Sequence, residues 1–269
     1  MKKYALLFLL FITCCVVHAQ RDSGYFASFD GVKIYYETMG QGRPVLLLHG
    51  FTNRGADWKR KPLCDSLVAR GYRVILPDLR GNGKSGQPLR ADGYANDAEA
   101  KDLQGLVRFL KIKRYDAIGY SRGSIILARL LVTDKRLQNA VLGGMGADFT
   151  NPQWPRRIAF YKALIYDTVK GFDDFRKYIA SKGLSPTTLA WQQLHQPSTS
   201  KESLATVKQK VLVICGNQDA DNGTGESLQQ LIPGAVFSTV PGTHNSAWGG
   251  VDFAKTIIDF LQKNGGKKQ

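Results

Sequence analysis

Six short apolar runs, at residues 45–48, 74–76, 117–118, 140–142, 211–215 and 236–240, constrain this chain more than any other feature. They are apolar on both sides rather than alternating, so each is expected to be a strand covered on both faces. Segments with helical spacing separate them, which predicts an α/β fold with a mostly parallel central sheet and helices on both faces. Ahead of the first run, YFASF and VKIYYETM flank Asp30-Gly31, a hairpin signal.

Spacing marks the helices. Leu103, Leu106, Val107 and Leu110 repeat at i, i+3, i+4 and i+7, preceded by Asn96 and Glu99, which read as a capping box. Phe253, Ile257, Phe260 and Leu261 form a second stripe, and both stripes are assigned to the core. Residues 146–208 break the alternation. They hold no strand-like run, only helical pieces such as IAFYKALIYD, DDFRKYIA and TLAWQQLH. That stretch is expected to be a small helical lid inserted before the last two strands, on a core made of residues 20–145 and 209–269. A length of 269 residues suits one α/β domain with such an insertion.

Residues 1–19 read as a signal peptide: Lys2 and Lys3 give a basic start, residues 4–17 an apolar stretch, and Val17-His18-Ala19 a cleavage site after Ala19. The apolar stretch is shorter than the roughly 20 residues that a spanning helix needs. The mature protein is therefore expected to be secreted or periplasmic, without a stable membrane span. Cys64 falls in a predicted helix and Cys215 at the end of a predicted central strand, so two separate buried thiols are expected rather than a bridge. A formal charge of +15 favours anionic surroundings. No basic run is interleaved with stacking aromatics, so nucleic acid is not an expected partner. No His, Cys or carboxylate cluster has ligand spacing, and neither metal nor cofactor is expected.

Chemistry belongs where polar segments follow the apolar runs, because ligands bind beyond the carboxyl ends of the strands in a doubly wound sheet. His49-Gly50-Phe51, Asp78-Leu79-Arg80-Gly81, Gly119-Tyr120-Ser121-Arg122-Gly123, Gly216-Asn217-Gln218-Asp219 and Pro241-Gly242-Thr243-His244 occupy those places. Ser121, in a G-x-S-x-G between strand and helix, fits a nucleophile elbow whose glycines permit tight backbone crossing. A serine hydroxyl needs a base to take its proton. Of four histidines, His18 lies in the signal segment, His49 in the HGF turn and His195 in the lid, which leaves His244. The acid that orients the imidazole is expected to be Asp219, with Asp221 and Asp148 as alternatives. The backbone N–H groups of Phe51 and Arg122 are placed to hold an oxyanion. Trp58, Tyr120 and Trp154, with Phe160 and Tyr161, are candidates for an apolar acyl pocket and equally for the core.

In this order and spacing, HGF, DLRGNGKS, GYSRGS, GNQD and GTH resemble the α/β-hydrolase superfamily over roughly residues 24–264, in its lid-bearing esterase, lactonase and cofactor-free haloperoxidase-like branch. The order Ser, Asp, His is the superfamily's order. The resemblance implies the α/β-hydrolase fold, structural roles for His49 and the DLRG loop, and hydrolysis of a small-molecule ester or lactone through an acyl-enzyme. It also accommodates C–C hydrolysis, haloperoxidase-like activity, or ligand binding without fast turnover. Two features depart from the common pattern: the histidine stands in GTHNSAW rather than G-x-G-H, and the acid loop lacks the proline often found after it. DLRGNGKS also approaches the G-x-x-x-x-G-K-[ST] phosphate loop. Asp78 stands where that motif demands glycine, so nucleotide binding is not expected.

Overall fold

The computed structural model describes residues 21–166 and 169–265. The signal peptide and cleavage site read from residues 1–19 lie outside the described residues. The hairpin forms as β1 (Arg21–Ala27) and β2 (Lys33–Met39), paired antiparallel around Gly31, whose φ of +82° suits a residue without Cβ. There follow β3 (Arg43–Leu48), α1 (Pro62–Ala69), β4 (Tyr72–Pro77), α2 (Ala98–Phe109), β5 (Tyr115–Tyr120), α3 (Arg122–Thr133) and β6 (Leu137–Gly143). Then come four helices: α4 (Pro155–Tyr166), α5 (Asp173–Ser181), α6 (Pro186–Leu194) and α7 (Lys201–Leu204). The described chain closes with β7 (Lys210–Gly216), α8 (Gly225–Gln229), β8 (Val236–Val240) and α9 (Val251–Asn264).

The strands form one sheet in the order β1-β2-β4-β3-β5-β6-β7-β8. β2 meets β4 antiparallel, and every pair from β4–β3 to β7–β8 is parallel. Side chains of one strand alternate between faces, so an apolar run feeds two cores. Leu46 and Leu48 join Leu103 and Leu106 of α2 and Ile126 and Leu130 of α3; Val45 and Leu47 join Leu63 and Leu67 of α1 and Ile257 and Leu261 of α9. Each fully buried leucine contributes about 1.5–3 kcal/mol. Leu164, Ile179, Leu189 and Ala190 of α4–α6 make a small cluster of their own, against which Phe51 packs.

The capping box does not form. Asn96 and Asp97 take left-handed conformations (φ +56° and +60°), no side chain caps the helix, and α2 starts at Ala98. Glu99 is occupied elsewhere, in a buried ion pair with Arg122. A charge-assisted, two-pronged pair with a buried guanidinium outweighs a local cap.

Cys64 and Cys215 are both buried and are not bridged to each other. Burial pushes the Cys215 thiol up to about 11, and only a thiolate is nucleophilic. Neither cysteine is therefore expected to react with a disulfide reagent at neutral pH until denaturant is added, when both should react. Rapid modification of Cys64 or Cys215 in the native protein, located by mass, would contradict this.

Candidate active site

β5 ends at Tyr120 and α3 begins at Arg122, so Ser121 alone carries the reversal, with φ +54° and ψ −123°. A non-glycine residue held there costs about 1–3 kcal/mol and persists only where its surroundings fix it. Here the Ser121 N–H and the Ser124 hydroxyl both donate to Gly143 O in β6, each at 2.8 Å. Gly119 and Gly123 make the crossing possible. A Cβ on Gly119 would lie 2.5 Å from Gly123 O, and one on Gly123 would run into Leu48 O. Those obstacles are backbone and cannot swing aside.

Asp219 follows β7 and His244 follows β8, and hydrogen bonds tie the two loops together. The Asn217 N–H donates to Val240 O at 2.8 Å, the Gln218 N–H to Gly242 O at 3.0 Å, and the Gly242 N–H to Asn217 Oδ1 at 3.0 Å. His244 thereby stands between acid and alcohol: Nδ1 is 2.9 Å from Asp219 Oδ2, and Nε2 is 2.9 Å from Ser121 Oγ. An ionised carboxylate only accepts, so the ring proton sits on Nδ1 and Nε2 is left to accept from the serine. Of the alternative acids, Asp221 is exposed and gives its backbone N–H to Asp219 Oδ1 at 3.3 Å. Asp148 stands beside Gly223, and among the described residues it makes no hydrogen bond to His244.

Linear spacing concealed one cluster. Ligand-type atoms of Asp219, Asp221 and His244 lie within 4.8 Å of one another. Both nitrogens of His244 already have hydrogen-bond partners, so a cation there would have to displace Asp219 or Ser121.

Two neighbours support the imidazole. The Tyr120 hydroxyl donates to His244 O at 2.7 Å, and its ring lies 5.3 Å from the imidazole and stacks at 5.6 Å on Trp248. Burial, reinforced by nearby Asp219, pushes the Tyr120 hydroxyl far up, so it stays a donor. Sequence reasoning passes over the other neighbour, Asn222. Its Nδ2 lies 3.4 and 3.5 Å from the two ring nitrogens of His244 and donates to Gly144 O at 3.3 Å. An atom so evenly placed between two nitrogens lies along neither lone pair, so the amide faces the flat of the ring.

Ser121 and His244 border a cavity of about 80 Å³, which Trp154 and Phe160 help to wall. This space is small and only half enclosed. Beyond Trp154 and Arg156, an open groove of about 720 Å³ reaches Asp148, Asn151 and Lys201. Two pocket expectations are corrected. Trp58 is fully buried and meets Trp248 edge-on at 5.0 Å, while Tyr120 packs against His244 instead of lining the cavity. Tyr161 belongs to the α4–α6 cluster. Large aromatics fill cores and pockets alike, and sequence carries no mark that separates the two.

Phe51 and Arg122 border the same cavity. The Arg122 amide lies in the first turn of α3, where no intrahelical acceptor exists. Among the described residues, neither amide donates within the protein, so two donors are available to an oxygen held above Ser121. The Arg122 side chain is structural. It clamps both carboxylate oxygens of Glu99 and reaches Gln192 O of α6 at 3.3 Å.

His49 and the DLRG loop frame the site. His49 Nδ1 donates to Gly50 O at 2.8 Å and Nε2 accepts the Leu79 N–H at 3.0 Å; burial holds its pKa down, which keeps the ring neutral. Asp78 accepts the N–H groups of Gly55 and Lys84, both at 2.7 Å. The loop that resembles a phosphate cradle thus closes around its own carboxylate. Arg80 bridges Asp30 and Asp102.

The sequence model of the family described as alpha/beta hydrolase fold matches residues 43–171. A bromoperoxidase from Bacillus anthracis superposes with a TM-score of 0.74 over 90% of this chain and 100% of that one, at 25% identity. The chain has the α/β-hydrolase fold. Non-heme chloroperoxidase CPO-A1 from Kitasatospora aureofaciens is 39% identical over 115 residues, 42% of this chain and 40% of that protein. A 2-hydroxy-6-oxononadienedioate/2-hydroxy-6-oxononatrienedioate hydrolase from Paraburkholderia xenovorans is 38% identical over 121 residues, 44% of this chain and 42% of that protein. The chain spans about half the length of the curated relatives it matches. The α/β-hydrolase match contains Phe51, Ser121 and Arg122 but neither Asp219 nor His244, whose pairing rests on the geometry of this chain.

Proposed function

We propose that this protein is a serine hydrolase that cleaves a short carboxylic ester or lactone with Ser121 as nucleophile, His244 as general base and acid, and Asp219 as its orienting carboxylate. The observation that carries this reading is the unbroken hydrogen-bond chain from Asp219 Oδ2 through His244 to Ser121 Oγ beside a small cavity. Ser121 Oγ attacks the carbonyl carbon while its proton passes to His244 Nε2. The Phe51 and Arg122 amides hold the oxygen as it gains charge, at about 2.7–4 kcal/mol per donor. Collapse breaks the acyl C–O bond, and His244 returns the proton to the departing alkoxide. A water then attacks the acyl-enzyme, giving its proton to His244, and the carboxylic acid leaves as Ser121 recovers its own. Asp219 stays ionised and stabilises the imidazolium.

In this reading residues 146–208 act as the lid that sets acyl-chain length, and the signal-like residues 1–19 direct the enzyme out of the cytoplasm. The small cavity favours short acyl groups. Across 4-nitrophenyl esters, kcat/KM is expected to fall by at least about tenfold from short to long chains, the scale of poorly accommodated methylenes. A preference for long chains would contradict this assignment. The chloroperoxidase and bromoperoxidase relatives favour a second reading. Hydrogen peroxide replaces water as the second attacker, and the same acyl-enzyme releases a peracid. Halogenation that requires peroxide and a carboxylate would support it.

A further inference from the structure

The wall of the Ser121 cavity contains three arginines and no aspartate or glutamate. Arg122 is neutralised by Glu99. Arg156 is exposed and lies over the Phe160 ring, 5.2 Å from its centroid. Arg157, near the start of α4, is different. It is partly buried, its Nη1 donates to Gln196 O at 3.4 Å, and among the described residues it has no carboxylate partner. Arg43, Arg80 and Arg122, by contrast, each meet a buried carboxylate. Desolvation holds the Arg157 pKa below its usual value, with no acid to offset it.

Taking a guanidinium out of water is costly unless an anion and hydrogen bonds replace the hydration. The side chains within the described protein supply no such anion to Arg157, and the cavity it faces is the one that holds Ser121 Oγ. We propose that Arg157 is a specificity-determining residue that binds a carboxylate on the substrate, so that the preferred substrate is a short ester or lactone whose acyl part ends in a carboxylate. This rests on the reading of Ser121 as nucleophile. A guanidinium receives a carboxylate through two parallel N–H donors, which fixes orientation as well as charge. The cavity of about 80 Å³ keeps the two ends of the acyl group close, as in a succinyl or glutaryl unit. Trp154, Phe160 and Ile125 supply the apolar flank along its methylenes.

The test compares kcat/KM for monoethyl glutarate with that for ethyl pentanoate, a neutral ester of equal chain length. The full-length protein is expected to favour the anionic ester by about 10- to 100-fold, the worth of a hydrogen-bonded charge. Arg157→Gln should bring the ratio to about one, and Arg157→Lys, which keeps the charge without the fork, should retain part of it. Labelling of Ser121 by a neutral fluorophosphonate shows in each variant that fold and nucleophile are intact. A ratio near one in the unaltered protein, or an unchanged ratio in a labelled Arg157→Gln variant, overturns the inference while leaving Ser121 in place. Absence of labelling in the unaltered protein removes both.

Discussion

Ser121→Ala is expected to lower kcat on a short-chain 4-nitrophenyl ester by about 10⁶-fold, the scale on which a triad serine and its histidine act as a unit. On the proposed mechanism the substitution removes the atom that carries the acyl group, and it leaves His244 Nε2 without its serine partner. The amides of Phe51 and Arg122 and the cavity walls remain, so residual rates should still exceed the uncatalysed reaction by about 10³–10⁴. Alanine fits the elbow as serine does, because Ser121 Oγ has its hydrogen bond with His244 and not with the backbone. Unchanged circular dichroism with the loss of turnover would separate chemistry from misfolding. Activity within about tenfold of the unaltered protein would remove Ser121 from the mechanism, since no deletion of an acting nucleophile is so mild.

Asp219→Asn is expected to cost about 10⁴-fold in kcat. The two side chains have the same shape, and the hydrogen bond at 2.9 Å to His244 Nδ1 can persist. Its direction reverses. An amide donates to Nδ1, the ring proton moves to Nε2, and the imidazole then faces Ser121 as a donor when it must accept. Asp221 lies two residues further along the same loop, yet its side chain is exposed. Asp221→Asn should therefore change kcat by less than about threefold, as exposed substitutions do. Equal losses at both positions would show that the loop's net charge matters and that a specific hydrogen bond does not.

The sheet was legible because burial on both faces leaves a mark on consecutive residues. The runs at 45–48 and 211–215 have no polar side chain to place, and the structure puts both inside. The positions of Ser121 and Asp219 were legible for a related reason: each sits just past a buried strand. His244 follows β8, and there the expectation of cover on both faces fails, because β8 is the edge strand and only Val240 is buried in it. Pairings between distant residues were not legible. Glu99 looks like a cap partner until Arg122 is found beside it in space. Asn222 belongs to no strand end, and only the folding of its loop brings its amide over the His244 ring. Trp58 and Trp154 are chemically identical in sequence, and one stands under the sheet while the other walls the cavity. Local pattern records how a residue is covered, not which distant residue covers it.

On the proposed mechanism, His244 makes the Ser121 hydroxyl nucleophilic. A fluorophosphonate reacts only with such a serine, and its adduct can be located by mass. Trypsin should release residues 115–122 as YDAIGYSR, with Arg114 on one side and Arg122 at its end. One adduct per chain is expected on this peptide, at Ser121, absent from Ser121→Ala and strongly slowed in His244→Ala. A folded protein that stays unlabelled there, or that carries the adduct on a different serine, would contradict the account.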